Sequence, residues 1–119
     1  MDINSAIIEG AKILKNKFIN NPYLDAEILM SKVIKKEKKY IITNYNKNLN
    51  QKDLFYFKKL INSRALRKPI AYLTNKKFFW DSEFFVTQNT LIPRPDTELI
   101  VENVLRLTRQ KNKINILDI

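Results

Sequence analysis

Up to Pro69 the apolar residues of this chain recur every three or four positions, and beyond it they do not. That change of period calls for a helical first part and a differently built second part. Ile3, Ile7, Ile8, Ala11, Leu14 and Phe18 form one apolar face of a first helix. Asn20-Asn21-Pro22 ends it and starts the next, with Asn21 as N-cap and Pro22 at the first helical position. Leu24, Ile28, Leu29 and Val33 line that second helix, which runs into Lys35-Lys36-Glu37-Lys38-Lys39. Tyr40-Ile41-Ile42 opens a short third helix or turn, closed by the polar segment from Asn44 to Asn50. Asn50, with Asp53 three residues on, predicts the cap of a fourth helix through Leu54, Phe57, Leu60 and Ile61.

After Pro69, Ile70 to Leu73 can make one more helical turn. Lys76 to Trp80 and Glu83 to Thr87, parted by Asp81-Ser82, read as two aromatic, β-branched strands of a hairpin. The turn holds no Gly, so its type stays open. Pro93 and Pro95 stiffen the segment from Leu91, and Asp96 is expected to cap a helix to about Arg109. Glu98 early and Arg106 and Arg109 late match that helix's dipole. Ile114 to Ile119 reads as a buried strand. A parallel strand needs neighbours, so the chain is expected to be a fragment of a longer protein, with an open apolar edge that favours aggregation.

Composition narrows the function. The 22 Lys and Arg against 12 Asp and Glu give a net charge of +10. Such a balance points to an anionic partner: RNA, a ribosome or an acidic protein surface. The same richness in Lys, Asn and Ile also arises from an AT-rich coding bias. With no Cys and no His, the chain can hold no disulfide, thiolate zinc site, Cys nucleophile or Ser-His-Asp triad. No metal site is expected. Gly10 is the one glycine and sits in a helical pattern, so no Gly-rich phosphate loop is present. The first residues do not form a signal peptide, and no apolar run reaches membrane-spanning length, which makes the cytoplasm the expected compartment.

Leu91-Ile-Pro-Arg-Pro-Asp-Thr-Glu98, preceded by Pro69-Ile-Ala-Tyr-Leu-Thr74 and Phe79-Trp80, resembles the release-factor glutamine methyltransferase family (the HemK/PrmC type). Asp25-Ala26-Glu27-Ile28-Leu29, Phe84-Phe85-Val86 and Ile116-Leu117-Asp118-Ile119 agree with it in order and spacing. Asn75 stands where the family commonly has Gly, a swap that Asn's tolerance of left-handed backbone permits. The family's Gly-rich donor loop and its Asn-Pro-Pro-Tyr motif have no counterpart in these residues. The resemblance implies a mostly α fold. Residues 1–74 would be a helical substrate-recognition bundle and 75–90 a β-hairpin linker. Residues 91–119 would supply the first helix and strand of a truncated Rossmann-like α/β methyltransferase domain. It also implies an S-adenosylmethionine-dependent enzyme that methylates the side-chain amide of the Gln in the Gly-Gly-Gln loop of peptide chain release factors. An amide nitrogen is a poor nucleophile, so such an enzyme would act by positioning and hydrogen bonding rather than by a strong base. The chain alone is expected to be inactive, its cofactor bound mainly by residues beyond Ile119.

Each candidate residue has a plainer role beside the functional one. Arg94, Thr97, Glu98 and Asp118 are the candidate cofactor-binding residues, and none is expected to be catalytic. Pro93-Arg94-Pro95 serves equally as a strap against the cleft or as a rigid linker. Thr97 and Glu98 also suit a first helical turn. Asp118 sits at the strand end, where the family's position supports the donor loop. Phe78, Phe79, Trp80, Phe84 and Phe85 are either core or a base-stacking platform, with core favoured. Asp25 and Glu27 diverge on a helix and are expected at the surface or in interhelix ion pairs. Lys35 to Lys39 reads as a solvated helix end. The rival reading of the whole is a non-catalytic basic helical module that binds ribosomal RNA or a protein partner.

Overall fold

The computed structural model describes residues 1–119 as two compact units, Met1–Asn75 and Lys76–Ile119. The first holds five helices: α1 (Ile3–Asn16), α2 (Pro22–Ile34), α3 (Lys38–Thr43), α4 (Gln51–Ala65) and α5 (Ile70–Thr74). The second holds a hairpin of β1 (Lys76–Phe79) and β2 (Ser82–Phe85), then α6 (Pro95–Thr108). The chain is therefore mostly α, as its periodicity predicts.

In the helical unit Ile3, Ile7 and Leu14 of α1 meet Ala26, Leu29, Met30 and Val33 of α2 and Phe57, Leu60 and Ile61 of α4. Gly10 sets how closely α1 and α4 approach. A Cβ there would lie 2.9 Å from Ile61 Cδ1 and 3.1 Å from Phe57 Cζ, so any larger residue must displace these two side chains. Two ion pairs pin α2 from either side. Arg64 Nε donates to Asp25 Oδ2 at 2.8 Å, while its Nη1 donates to the Lys68 carbonyl. Lys38 Nζ lies 3.2 Å from Glu27 Oε2. The two carboxylates diverge as expected and serve as interhelix partners, but both are buried rather than at the surface.

Helix starts follow local chemistry. Asn21 precedes Pro22 at the start of α2, and the Asn50 side chain accepts the Asp53 amide at the start of α4. The first amides of α1 are met from outside. Those of Ile3 and Asn4 donate to the carbonyls of Lys47 and Tyr45, and that of Ser5 to Asp2 Oδ1. The hydrogen bonds from Ser5 hold the Asp2 carboxyl below its ordinary pKa. The polar segment after α3 is thus a strap across the N-terminus of α1.

Helix ends depart from the expected pattern. Phe18 is not on the apolar face: α1 stops at Asn16, and Phe18 takes φ 59° with its ring 83% exposed, while Ile19 turns in. Lys35 and Arg67 adopt the same left-handed backbone after α2 and α4. In all three the next amide reaches back five residues, Ile19 to Leu14, Lys36 to Ser31 and Lys68 to Ser63. This satisfies end carbonyls at positions where Gly is the usual residue. Asn75 ends α5 with φ 61°, as its side chain tolerates.

In the second unit, Phe79 pairs with Ser82, leaving Trp80-Asp81 as a two-residue turn with positive φ at Trp80. Phe79 meets Phe84 edge to face at 6.3 Å. Phe78, Trp80, Phe84 and Phe85 are exposed, contrary to the expected core role, because a two-stranded hairpin has no second layer of its own to cover them. α6 begins with Arg94 as N-cap and Pro95 in the first turn, two residues earlier than a cap at Asp96. Residues 114–119 form no strand, since no strand of the chain lies alongside to receive their hydrogen bonds.

Two outcomes follow for urea unfolding of the chain. Phe18→Gly, which removes Cβ strain at little loss of packing, should raise stability by about 1 kcal/mol. Gly10→Val should lower it by about 2 kcal/mol through overpacking against Ile61 and Phe57.

Candidate functional site

The start of α6 gathers three of the four candidate residues. Arg94 enters it in extended backbone, and its carbonyl accepts the Thr97 amide at 3.1 Å. Both side chains are exposed. Pro95 fixes the first turn, and Asp96 and Glu98 lie where negative charge suits the dipole. Asp118 lies in the exposed terminal segment, and the structure does not bring it to the other three.

Glu98 has a partner that lies outside its own helix. Its Oε1 accepts the backbone amide of Trp80 at 2.7 Å, so α6 holds the tip of the hairpin through a charge-assisted bond. Trp80 is the turn residue in the left-handed region, which costs a bulky side chain about 1 kcal/mol or more. The bond therefore fixes the hairpin at its most strained residue. Nothing local reveals it, because the two residues are 18 positions apart.

No group of three or more His, Cys, Asp or Glu is placed to hold a metal ion. No helix is long and apolar enough to cross a membrane. Two cavities of about 240 Å³ are lined by residues of the helical unit alone. Arg94, Thr97, Glu98 and Asp118 line neither.

A second cluster, at Tyr40, escapes sequence reasoning. Lys47 Nζ donates to the Tyr40 hydroxyl at 2.9 Å and stands 5.7 Å from the ring centre, with Lys36 Nζ at 5.4 Å. Lys47 belongs to the strap across α1, and a loop lysine folding back over a helix leaves no periodic signal.

Five packed helices leading into a hairpin and one further helix define a small helical module joined to the opening of a second unit. Residues 5–74 match the family described as the PrmC N-terminal domain, and the chain belongs to that family. It is 34% identical over 119 residues to a release factor glutamine methyltransferase of Clostridium botulinum, covering 100% of this chain and 42% of the relative. A protein of the same description from Buchnera aphidicola subsp. Baizongia pistaciae is 39% identical over 112 residues, 94% of this chain and 40% of the relative. A bifunctional methyltransferase of Rickettsia bellii is 39% identical over 108 residues, 91% of this chain and 19% of the relative. The chain thus spans less than half the length of these relatives.

The Glu98–Trp80 bond has a direct readout. In Glu98→Ala, hydrogen exchange at the Trp80 amide should speed up about tenfold, as expected for loss of a hydrogen bond to a charged group.

Proposed function

We propose that this chain is the recognition part of an S-adenosylmethionine-dependent protein glutamine methyltransferase whose complete form acts on peptide chain release factors. The observation that carries this reading is the family match over residues 5–74, together with relatives described as release factor glutamine methyltransferases that align along the whole chain. In this reading residues 1–74 grip the release factor, 75–90 link, and 91–119 open the methyltransferase domain in the cytoplasm. The methyl acceptor is the side-chain amide of the Gln in the Gly-Gly-Gln loop.

The cofactor would supply the methyl group. Of this chain's residues, the exposed Arg94 guanidinium and Thr97 hydroxyl at the start of α6 are free to face it, with Asp118 supporting the donor loop. Glu98 is already bonded to Trp80, and its share in the site is to hold the hairpin beside α6. An amide nitrogen gives little of its lone pair, so rate depends on how firmly the acceptor loop is held, which makes a fixed hairpin more useful than a mobile one.

The test uses the longer protein with S-adenosylmethionine and a purified release factor. Methyl transfer to the glutamine should be seen, and the 119-residue chain alone should show none. Arg94→Ala should lower turnover about tenfold or more, against a stability change within about 0.5 kcal/mol, as for an exposed site. Equal loss of turnover and stability would remove Arg94 from the cleft, and no transfer by the longer protein would overturn the reading.

A further inference from the structure

We infer that the pole of the helical unit around Tyr40 is a binding site for the phosphate backbone of single-stranded RNA. Lys36, Tyr40, Lys47 and Asn48 line a cavity of about 240 Å³ there, with Ile3 and Ile34 as its apolar side. Two ammonium groups stand within 5.7 Å of one aromatic ring, an arrangement of like charges that an anion would relieve. The Tyr40 hydroxyl, by accepting from Lys47, holds that ammonium charged above the usual lysine range.

The neighbouring charges point the same way. Lys36 and Lys47 line the cavity, and Lys35, Lys39 and Lys52 lie within two residues of its lining in sequence. Of the acids near this pole, Glu27 is paired with Lys38. Asp2 and Asp53 accept only from neutral amides, Asp53 lines the cavity itself, and Glu37 lies among the lysines in sequence, so three carboxylates oppose a larger number of lysines. Lys35 and Lys36 also complement the carbonyl end of α2. That explanation does not reach Lys47, which is carried to Tyr40 because its own carbonyl caps α1.

A groove of about 240 Å³ has room for a phosphate with part of its sugar, and charge rather than shape favours the nucleic acid. Lysines spread along the pole suit a ligand with a charge at every residue, and an aromatic ring in such a groove suits a base or sugar face.

The test is fluorescence anisotropy of a short labelled single-stranded RNA with the full chain, between about 50 and 200 mM salt. Lys36→Gln with Lys47→Gln should weaken binding about tenfold or more and flatten the salt slope by about two. Lys15→Gln with Lys17→Gln removes equal charge at the opposite end of α1 and should weaken binding less than about threefold. All four lysines are exposed, and unchanged helical circular dichroism would establish that both variants fold. Equal weakening by both pairs would overturn the site in favour of diffuse charge, and no RNA binding by the unaltered chain would overturn it outright. Loss of release-factor binding in the Lys36/Lys47 variant, with RNA binding intact, would make the pole a protein-docking surface instead. Methyl transfer by the longer protein is not read here, so failure of this site and failure of the proposed enzyme are separable.

Discussion

The close passage of α1 over α4 at Gly10 is the constraint on which the helical unit depends. With no Cβ between them, Phe57 and Ile61 press directly against the α1 backbone, and both become almost wholly buried. The approach also fixes where the ends of the two helices fall. At one end the Arg67 guanidinium reaches the Lys17 carbonyl, and at the other the strap from Tyr45 to Leu49 closes over the start of α1. A larger residue at position 10 would press on Ile61 and Phe57 first, at the centre of this contact. The single glycine of the chain is spent on packing, and none remains for turns.

That allocation explains how the helices end. Phe18, Lys35, Arg67 and Asn75 all take left-handed backbone without being Gly. The reverse bonds of these ends satisfy otherwise unpaired carbonyls, each worth about 1 kcal/mol, against a Cβ penalty of similar size. The balance is close to neutral at the first three ends, and at Phe18 burial of the next residue tips it. Ile19 enters the core directly after Phe18 leaves it. Phe18 accordingly carries strain and exposure together, which is why its replacement is informative.

Helix starts were legible in the sequence because capping is local: Asn21-Pro22 and Asn50 with Asp53 announce themselves within four residues. The hairpin was legible from its aromatic strands, although its turn, with Trp80 in the left-handed region, was not. The ends at Phe18, Lys35 and Arg67 were hidden because these residues are poor choices for left-handed backbone, and only at Phe18 does burial of the next residue, Ile19, account for the turn. The candidate site was legible as a segment, Leu91 to Glu98, and not as a geometry. The bond from Glu98 to Trp80 and the meeting of Lys36, Tyr40 and Lys47 both span loops whose path depends on amides elsewhere.

The interior of the helical unit bears on what this part of the molecule can do. Its buried carboxylates are each committed to a cation, Asp25 to Arg64 and Glu27 to Lys38, and no buried side-chain nitrogen or oxygen lacks a hydrogen-bond partner. Removing one member of such a pair strands a charge, so these groups are fixed in structural work. A group poised for proton transfer or nucleophilic attack needs to face a cleft with its reactive atom free, and the interior of this bundle offers none. The lysine pole and the exposed apolar residues lie at its surface. In the second unit the Glu98–Trp80 bond holds the hairpin to α6, so that unit too has a charged cross-link in a positioning role.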